Sequence, residues 1–410
     1  MNKKVENCLL CGCKDLSLIL SLPKTPPANE LVKKENILDN QEYFNLDLAR
    51  CQYCGHFQLL DIIDPNILFK DYKYTSGVSK SFIRHFRNYA LHIISMFDLD
   101  EKDLVVDIGS NDGSLLSQFQ KLDISVLGVE PATNIAGYAN NIGVETISAF
   151  FDASVAKYIV ENYKKAKIIT ANNVFAHAAN LKEILSGINL LLDSNGIFIF
   201  EVSHFYDMVK NNLFDMIYHE HIHYHTIKAL NAFLKYNGFK LFNVEKVDTH
   251  GGSIRCFAAK EDTSFKINSS VNQMIEMENE IDSSLLDEFI SKIESNKNKF
   301  KKIINEIKTN NQKIIGYGAP AKLTTLCYAF DLSSGDIDCI IDDSHWKQNM
   351  LTAGLKYPIV SFKEFEKIIN EVDYIVVFAW NFKNQIIEKC KKYGFKGKFI
   401  IPLPEVEIVG

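Results

Sequence analysis

The chain has 410 residues, enough at roughly 150 per domain for two or three domains. Hydrophobic residues make up 47% and charged ones 23%, a globular balance that excludes disorder or a fibrous rod for the whole. Against 51 Asp and Glu stand 45 Lys and Arg, a formal charge of −6, which leaves no general electrostatic footprint for nucleic acid. No run approaches the roughly 18 apolar residues of a membrane-spanning helix, and the polar, cysteine-bearing start is not a signal peptide. The expectation is a soluble, cytoplasmic, multidomain protein without a membrane partner.

Of the 9 cysteines, Cys8, Cys11, Cys13, Cys51 and Cys54 fall near the start; Cys256, Cys327, Cys339 and Cys390 lie singly in mostly apolar surroundings and read as core. Cys8-x-x-Cys11 and Cys51-x-x-Cys54 are two knuckles, each with a turn-permitting glycine nearby, Gly12 and Gly55. Two intervening residues let both sulfurs converge on one tetrahedral ion, so the four together predict a closed, structural zinc site. Cys13 is a spare that could replace Cys11. The alternative is a set of unconnected thiols.

Between the knuckles, Pro23, Pro26 and Pro27 mark extended chain, followed by a strand-like stretch from Tyr43. A helix is expected from about Lys80, then strands at Leu104, Ser125, Ile168 and Gly196 alternating with helices from Ser114, Asn134 and Leu181. That alternation predicts a parallel sheet covered on both faces. Residues 226–238 read as a helix, and 240–247 and 252–259 as closing strands. Residues 269–310, free of Gly and Pro, read as one long helical connector. A second alternation starts at Lys313, with a helix through Leu323–Tyr328, a strand from Ile337, a helix over 362–370 and a strand from Tyr374. The predicted architecture is α/β, with a zinc-clipped head (1–75), a Rossmann-like domain (76–262), the connector (263–310) and a second Rossmann-like domain (311–410).

Asp107-Ile-Gly109-Ser-Asn111-Asp-Gly113 follows the first strand and opens a helix, where backbone amides favour an anionic group. The next strand ends at Glu130, placed to accept hydrogen bonds from ribose hydroxyls. Position 111 is Asn, so the dinucleotide pattern G-x-G-x-x-G fails. The loop suits S-adenosylmethionine better than a pyrophosphate, against the plainer reading of a nucleotide fold without methyl transfer. Further on, Tyr218-His219-Glu220-His221-Ile-His223-Tyr224-His225 allows several readings. It can be a hydrogen-bonded polar strand, a metal face, or a zinc-protease H-E-x-x-H at His219–His223, the last weakened by the lack of an amphipathic helix and of a third ligand. The reading that performs chemistry is a base: a neutral imidazole removes a proton, a carboxylate holds its tautomer, and a tyrosine hydroxyl stabilises an enolate oxygen. Gly316-Tyr-Gly318-Ala-Pro-Ala-Lys322 opens the second alternation, with Asp342 about twenty residues on, which also admits an NAD-dependent oxidoreductase.

Taken together with His250-Gly251-Gly-Ser-Ile-Arg255 and the closing Pro402-Leu-Pro-Glu-Val-Glu, these motifs resemble those of the sugar-nucleotide C-methyltransferases, in the same order over essentially the whole chain. The resemblance implies a middle domain that binds S-adenosylmethionine through Asp107, Gly109, Asn111, Gly113, Glu130 and Asn172. It implies His221 as general base, Glu220 orienting it, and Tyr218 at the keto oxygen. His177 and either Tyr72 or Tyr74 would be further active-site residues. His250, Gly251, Arg255, Gly316, Gly318 and Lys322 would hold the nucleotide sugar, of thymidine type by the same resemblance. The chain departs from the pattern at Leu323-Thr324-Thr325, at Ala353-Gly354 and at Ile222-His223-Tyr224-His225, which bears on sugar and nucleotide preference. O-methyl transfer and non-catalytic nucleotide-sugar binding are the other functional readings, and a monomer is compatible with the sequence.

Overall fold

The computed structural model describes residues 3–69, 80–247 and 252–410, with side chains described from residue 83 in the helix that opens at Lys80. Tyr72, Tyr74, His250 and Gly251 therefore lie outside the described residues.

The central sheet has seven strands in the order Phe239–Val247, Ser253–Lys260, Leu192–Ser203, Ala166–Asn172, Leu104–Ile108, Ser125–Val129, Thr146–Ile147. The last five run parallel, and Ser253–Lys260 is antiparallel to Leu192–Ser203. Leu-Val-Val-Asp-Ile at 104–108 is buried along its whole length, as a parallel strand covered on both faces must be. Strand order reverses between Leu104–Ile108 and Ala166–Asn172, so a crevice opens past their C-terminal ends. Two elements beyond the expected alternation complete this unit: the edge strand Thr146–Ile147 and the helix Ala153–Asn162. Asp152 caps that helix, accepting from the amides of Ser154 and Val155.

The expected single connector helix is two. Ser269–Met277 ends in a 3-10 turn at Glu278–Glu280, and Ser283–Thr309 starts afresh with Asp282 as its N-cap. The break has a cause. The Glu278 carboxylate is buried against the start of helix Ile227–Tyr236, accepting from the amides of Ile227 (2.5 Å) and Lys228 (2.9 Å), and lies 2.9 Å from His204 Nε2. An acid at a helix N-terminus is favourably placed, and this docking redirects the chain.

The C-terminal sheet runs Ile359–Val360, Ile340–Ile341, Ile314–Tyr317, Tyr374–Val377, Lys398–Ile401, Glu407–Val409, parallel except for the last strand. The head sheet contains Leu16–Thr25, Phe44–Cys51 and Phe57–Leu59, and its fourth strand, His223–Tyr224, comes from far along the chain. Val32–Lys33 pairs in turn with Met350–Leu351. One apolar core joins these parts: Leu46, Leu48 and Phe57 of the head, Phe205 and Phe214, Phe289 and Phe300 of the long helix, and the C-terminal strands. The histidine-rich segment thus lies where three parts of the chain meet.

Candidate active site and zinc centre

Cys8, Cys11, Cys51 and Cys54 bring their sulfurs within 4.8 Å of one another, the sole such group of potential metal ligands among the described residues. Sγ–Sγ separations of 3.6 Å for Cys8–Cys54 and for Cys11–Cys51 are close to the roughly 3.8 Å edge of a tetrahedron with 2.3 Å zinc–sulfur bonds. The donor set fits zinc and leaves no coordination position open. Cys13 stands outside the cluster, its sulfur accepting from the Asp15 amide at 3.4 Å.

At the crevice, Gly109 adopts φ +68°, and a Cβ there would come within 2.4 Å of Val174 Cγ2. The turn and the close approach both require glycine. Glu130 accepts from the amides of Asn111 (3.0 Å) and Ala132 (2.9 Å), which folds the loop round its carboxylate. A carboxylate offers about four acceptor positions, so two remain for ribose hydroxyls. Asp107 accepts from the Thr170 hydroxyl at 2.6 Å. Burial pushes its carboxyl up to about 7, with Thr170 opposing and the charge of Glu130 adding to the rise. Among the described residues, Ser110 Oγ and both amide atoms of Asn172 are buried without a hydrogen-bond partner, donors and acceptors that an adenosyl ligand can satisfy. Gly113 closes the loop at φ +74°. All six crevice residues expected from sequence are thus brought to one place.

Tyr218–His221 form a turn that runs directly into the strand His223–Tyr224. His221 Nδ1 lies 3.0 Å from the Met216 carbonyl, and its Nε2 lies 2.8 Å from the Tyr218 hydroxyl. A carbonyl only accepts, so Nδ1 carries a proton, and in the neutral ring Nε2 is then the acceptor that faces the Tyr218 hydroxyl. A main-chain carbonyl thus occupies Nδ1, and Glu220, expected to orient His221, receives the Asn29 amide at 2.5 Å. No side-chain pattern could have revealed a carbonyl. The ring of His177 lies 5.0 Å from that of His221, and burial lowers its pKa to about 4. His177 follows the strand that ends at Asn172, so this contact sets His221 beside the crevice. The peptide after His221 docks there too, with the amides of Ile222 and His223 donating to the Ala176 carbonyl.

The other histidines are core. His223 Nδ1 lies 2.8 Å from His56 Nε2, His223 stacks on His225, and burial lowers the pKa of His223 to about 3 and of His225 to about 4. They form no metal face. His219–His223 is a turn and not a helix, so the H-E-x-x-H reading fails.

The turn Phe214–Met216, which carries the carbonyl on His221, is braced from the C-terminal sheet's first helix, Lys322–Ala329. The Thr325 hydroxyl donates to the Ile217 carbonyl at 2.7 Å, and Trp380 Nε1–H donates to Asp215 Oδ2 at 2.6 Å. Lys322 belongs to this brace. Its ammonium sits 3.6 Å above the Trp380 ring centre and 3.2 Å from Asn381 Oδ1. Burial lowers its pKa to about 8, with the charge of Asp215 opposing. The lysine expected at a pyrophosphate is thus held against Trp380 and Asn381. Gly316 lies within a strand, and Gly318 turns at φ +88° with Ala379 where its Cβ would be. Asp342 accepts from the amides of Ala319 (2.7 Å) and Ser344 (2.8 Å). Arg255 is turned inward as well: Nε and Nη2 donate to Glu201 Oε1 at 2.8 and 2.6 Å, and the guanidinium lies 4.1 Å over Tyr89. Expected at the substrate, it stands here in a buried ion pair between neighbouring strands.

Sequence comparison agrees with this construction. The profile described as "Putative zinc binding domain" matches residues 8–69, "Methyltransferase domain" matches 81–244, and "C-methyltransferase C-terminal domain" matches 248–404. Over its full length the chain is 31% identical to C-methyltransferase NovU of Streptomyces niveus, an alignment covering 99% of this chain and 97% of that protein. The chain belongs to the C-methyltransferase family. It is an S-adenosylmethionine-dependent methyltransferase with a zinc-binding head, which sets aside the oxidoreductase and non-catalytic readings. Solved structures of similar fold include an S-adenosylmethionine-dependent methyltransferase of Clostridium acetobutylicum, 15% identical, covering 43% of this chain and 92% of that one with a TM-score of 0.35. Magnesium protoporphyrin IX methyltransferase of Synechocystis with bound S-adenosylhomocysteine is 14% identical, covering 43% and 82%, with a TM-score of 0.34. Among the described residues no helix is long and apolar enough to cross a membrane.

Proposed function

We propose that this methyltransferase alkylates a ring carbon of a nucleotide-linked keto-deoxysugar, of thymidine type, in the cytoplasm, with His221 Nε2 as the base. The observation that carries this reading is the hold on the His221 ring, its Nδ1 at the Met216 carbonyl and its Nε2 at the Tyr218 hydroxyl, beside the crevice. S-adenosylmethionine, when bound, supplies an electrophilic methyl group. The chain's own residues then have to make a carbon nucleophile.

A ketone acidifies the adjacent C–H. As the substrate enters, the Tyr218 O–H turns from Nε2 to the keto oxygen, which uncovers the lone pair and stabilises the developing enolate. The proton passes to Nε2, and the Met216 carbonyl keeps the other nitrogen's proton in place, so the imidazolium forms without a change of geometry. His177, neutral at working pH, brings no charge to the site. Asp107, Gly109, Asn111, Gly113, Glu130 and Asn172 would hold the cofactor.

The test is methyl transfer and deuterium exchange, followed by mass spectrometry, on thymidine-, guanosine- and cytidine-diphosphate-linked 4-keto-6-deoxysugars in ordinary and deuterated water. Wild type should add one methyl to a ring carbon, and His221→Ala should lose both exchange and transfer. Methyl transfer to a hydroxyl without exchange of a carbon-bound proton would replace this reading with O-methylation.

A further inference from the structure

Glu220 is 1% exposed, in a turn shared with the proposed base. A carboxylate so deeply buried is tolerable only if hydrogen-bond donors replace water. One donor comes from 191 residues earlier: Asn29 Nδ2–H donates to Glu220 Oε1 at 2.5 Å. The approach of Asn29 is fixed on both sides. Before it, Thr25, Pro26, Pro27 and Ala28 are buried, and the two prolines restrict the backbone. The Ala28 carbonyl accepts from the Thr324 hydroxyl at 3.4 Å. After it, Val32–Lys33 pairs antiparallel with Met350–Leu351. The head segment is thereby fastened to the C-terminal part and delivers one amide to the loop that carries His221. An amide suits this place because it donates without titrating, so it cannot take the proton that the base removes.

We propose that Asn29 is a positioning residue for methyl transfer, holding the Glu220 carboxylate in its working orientation from the zinc-clipped head. This rests on the reading that Tyr218, Glu220 and His221 form the reacting site. Asn29 acts through Glu220, so its loss affects turnover and not cofactor capture.

The experiment is steady-state kinetics of the full-length, zinc-loaded protein on the same sugar panel, comparing Asn29→Ala, Asn29→Asp, Glu220→Gln, His221→Ala and the double change Asn29→Ala/Glu220→Gln. Asn29→Asp preserves shape and replaces the donor with an acceptor. The expected result is a fall in kcat of about tenfold or more for both Asn29 variants, the size of one lost hydrogen bond to a charge. The KM for S-adenosylmethionine should stay within about twofold, with zinc content and melting temperature retained. In the Glu220→Gln background, Asn29→Ala should change kcat by less than about twofold, because the carboxylate charge it orients is already gone. Unchanged kcat in both Asn29 variants, or losses that multiply independently with Glu220→Gln, would overturn the proposal. So would unfolding of both variants, which would make the contact a structural latch. If instead Glu220→Gln and His221→Ala turn over like wild type, the site reading itself fails, and it does so whatever Asn29 does.

Discussion

Replacing Arg255 with methionine tests the role of this residue most directly. The side chain fills much of the same space, but it removes the two bonds to Glu201 at 2.8 and 2.6 Å and the contact over Tyr89. Glu201 keeps a side-chain exposure of 3%, so its charge cannot turn to water. Burial alone would raise its carboxyl pKa; the His85 hydrogen bond and the Arg255 charge outweigh burial and hold it below the ordinary value. Removing one partner of a buried ion pair costs about 3–5 kcal/mol. His85 Nε2, 3.3 Å from the other carboxylate oxygen, keeps its contact with the carboxylate, which places the expected cost at the lower end, about 3 kcal/mol. At about 1.4 kcal/mol per factor of ten, the local opening constant rises roughly a hundredfold. Hydrogen exchange followed by mass spectrometry reads this in peptides covering the directly paired strands Leu192–Ser203 and Ser253–Lys260. Replacing Glu201 as well, with leucine, removes the stranded charge and restores most of the protection. Wild-type protection in Arg255→Met together with a raised KM for the sugar nucleotide would refute the reasoning and return the arginine to the substrate.

Three further outcomes follow from the same geometry. Cys11→Ser should lose the bound zinc, measured by inductively coupled plasma mass spectrometry, whereas Cys13→Ser should retain it, because only Cys11 lies in the cluster. Glu130→Ala should weaken S-adenosylhomocysteine binding by ten- to a hundredfold in calorimetry, about 1.5–3 kcal/mol for lost hydrogen bonds to a charged group and a loosened loop. His177, His223 and His225 have folded pKa values lowered to about 4, 3 and 4 from 6.5, so between those values the unfolded chain binds more protons. Their contribution to stability is complete above pH 6.5 and is lost as pH falls toward 4, at up to about 1.4 kcal/mol per pH unit for each histidine. Urea midpoints at pH 7.5, 6 and 5 should fall accordingly, and His225→Gln should reduce the slope by about one proton; an identical slope in that variant would contradict the assignment.

The sequence by itself determined the features that depend on local spacing. Two Cys-x-x-Cys knuckles, the glycine turn at 107–113, the acid at the end of the next strand and the buried parallel strands are all written in short stretches, because backbone geometry at those places admits few residue types. Family membership was legible in the order of those motifs. The connector's break at Glu278 was not, because it depends on a helix N-terminus 51 residues away offering its amides. The roles of Arg255 and Lys322 were not legible either. A basic residue in a glycine-bearing motif can face a phosphate or turn inward to a carboxylate or a tryptophan, and only packing against Glu201, Tyr89 and Trp380 decided it. The same holds for the base. Sequence placed a histidine beside a glutamate and a tyrosine, but the carbonyl of Met216 meets it only because the preceding turn folds back, and the hydroxyl of Thr325 and the amide of Asn29 reach this segment from elements distant in the chain. Which hydrogen bond each buried polar atom makes is settled by what the tertiary structure brings within 3 Å of it.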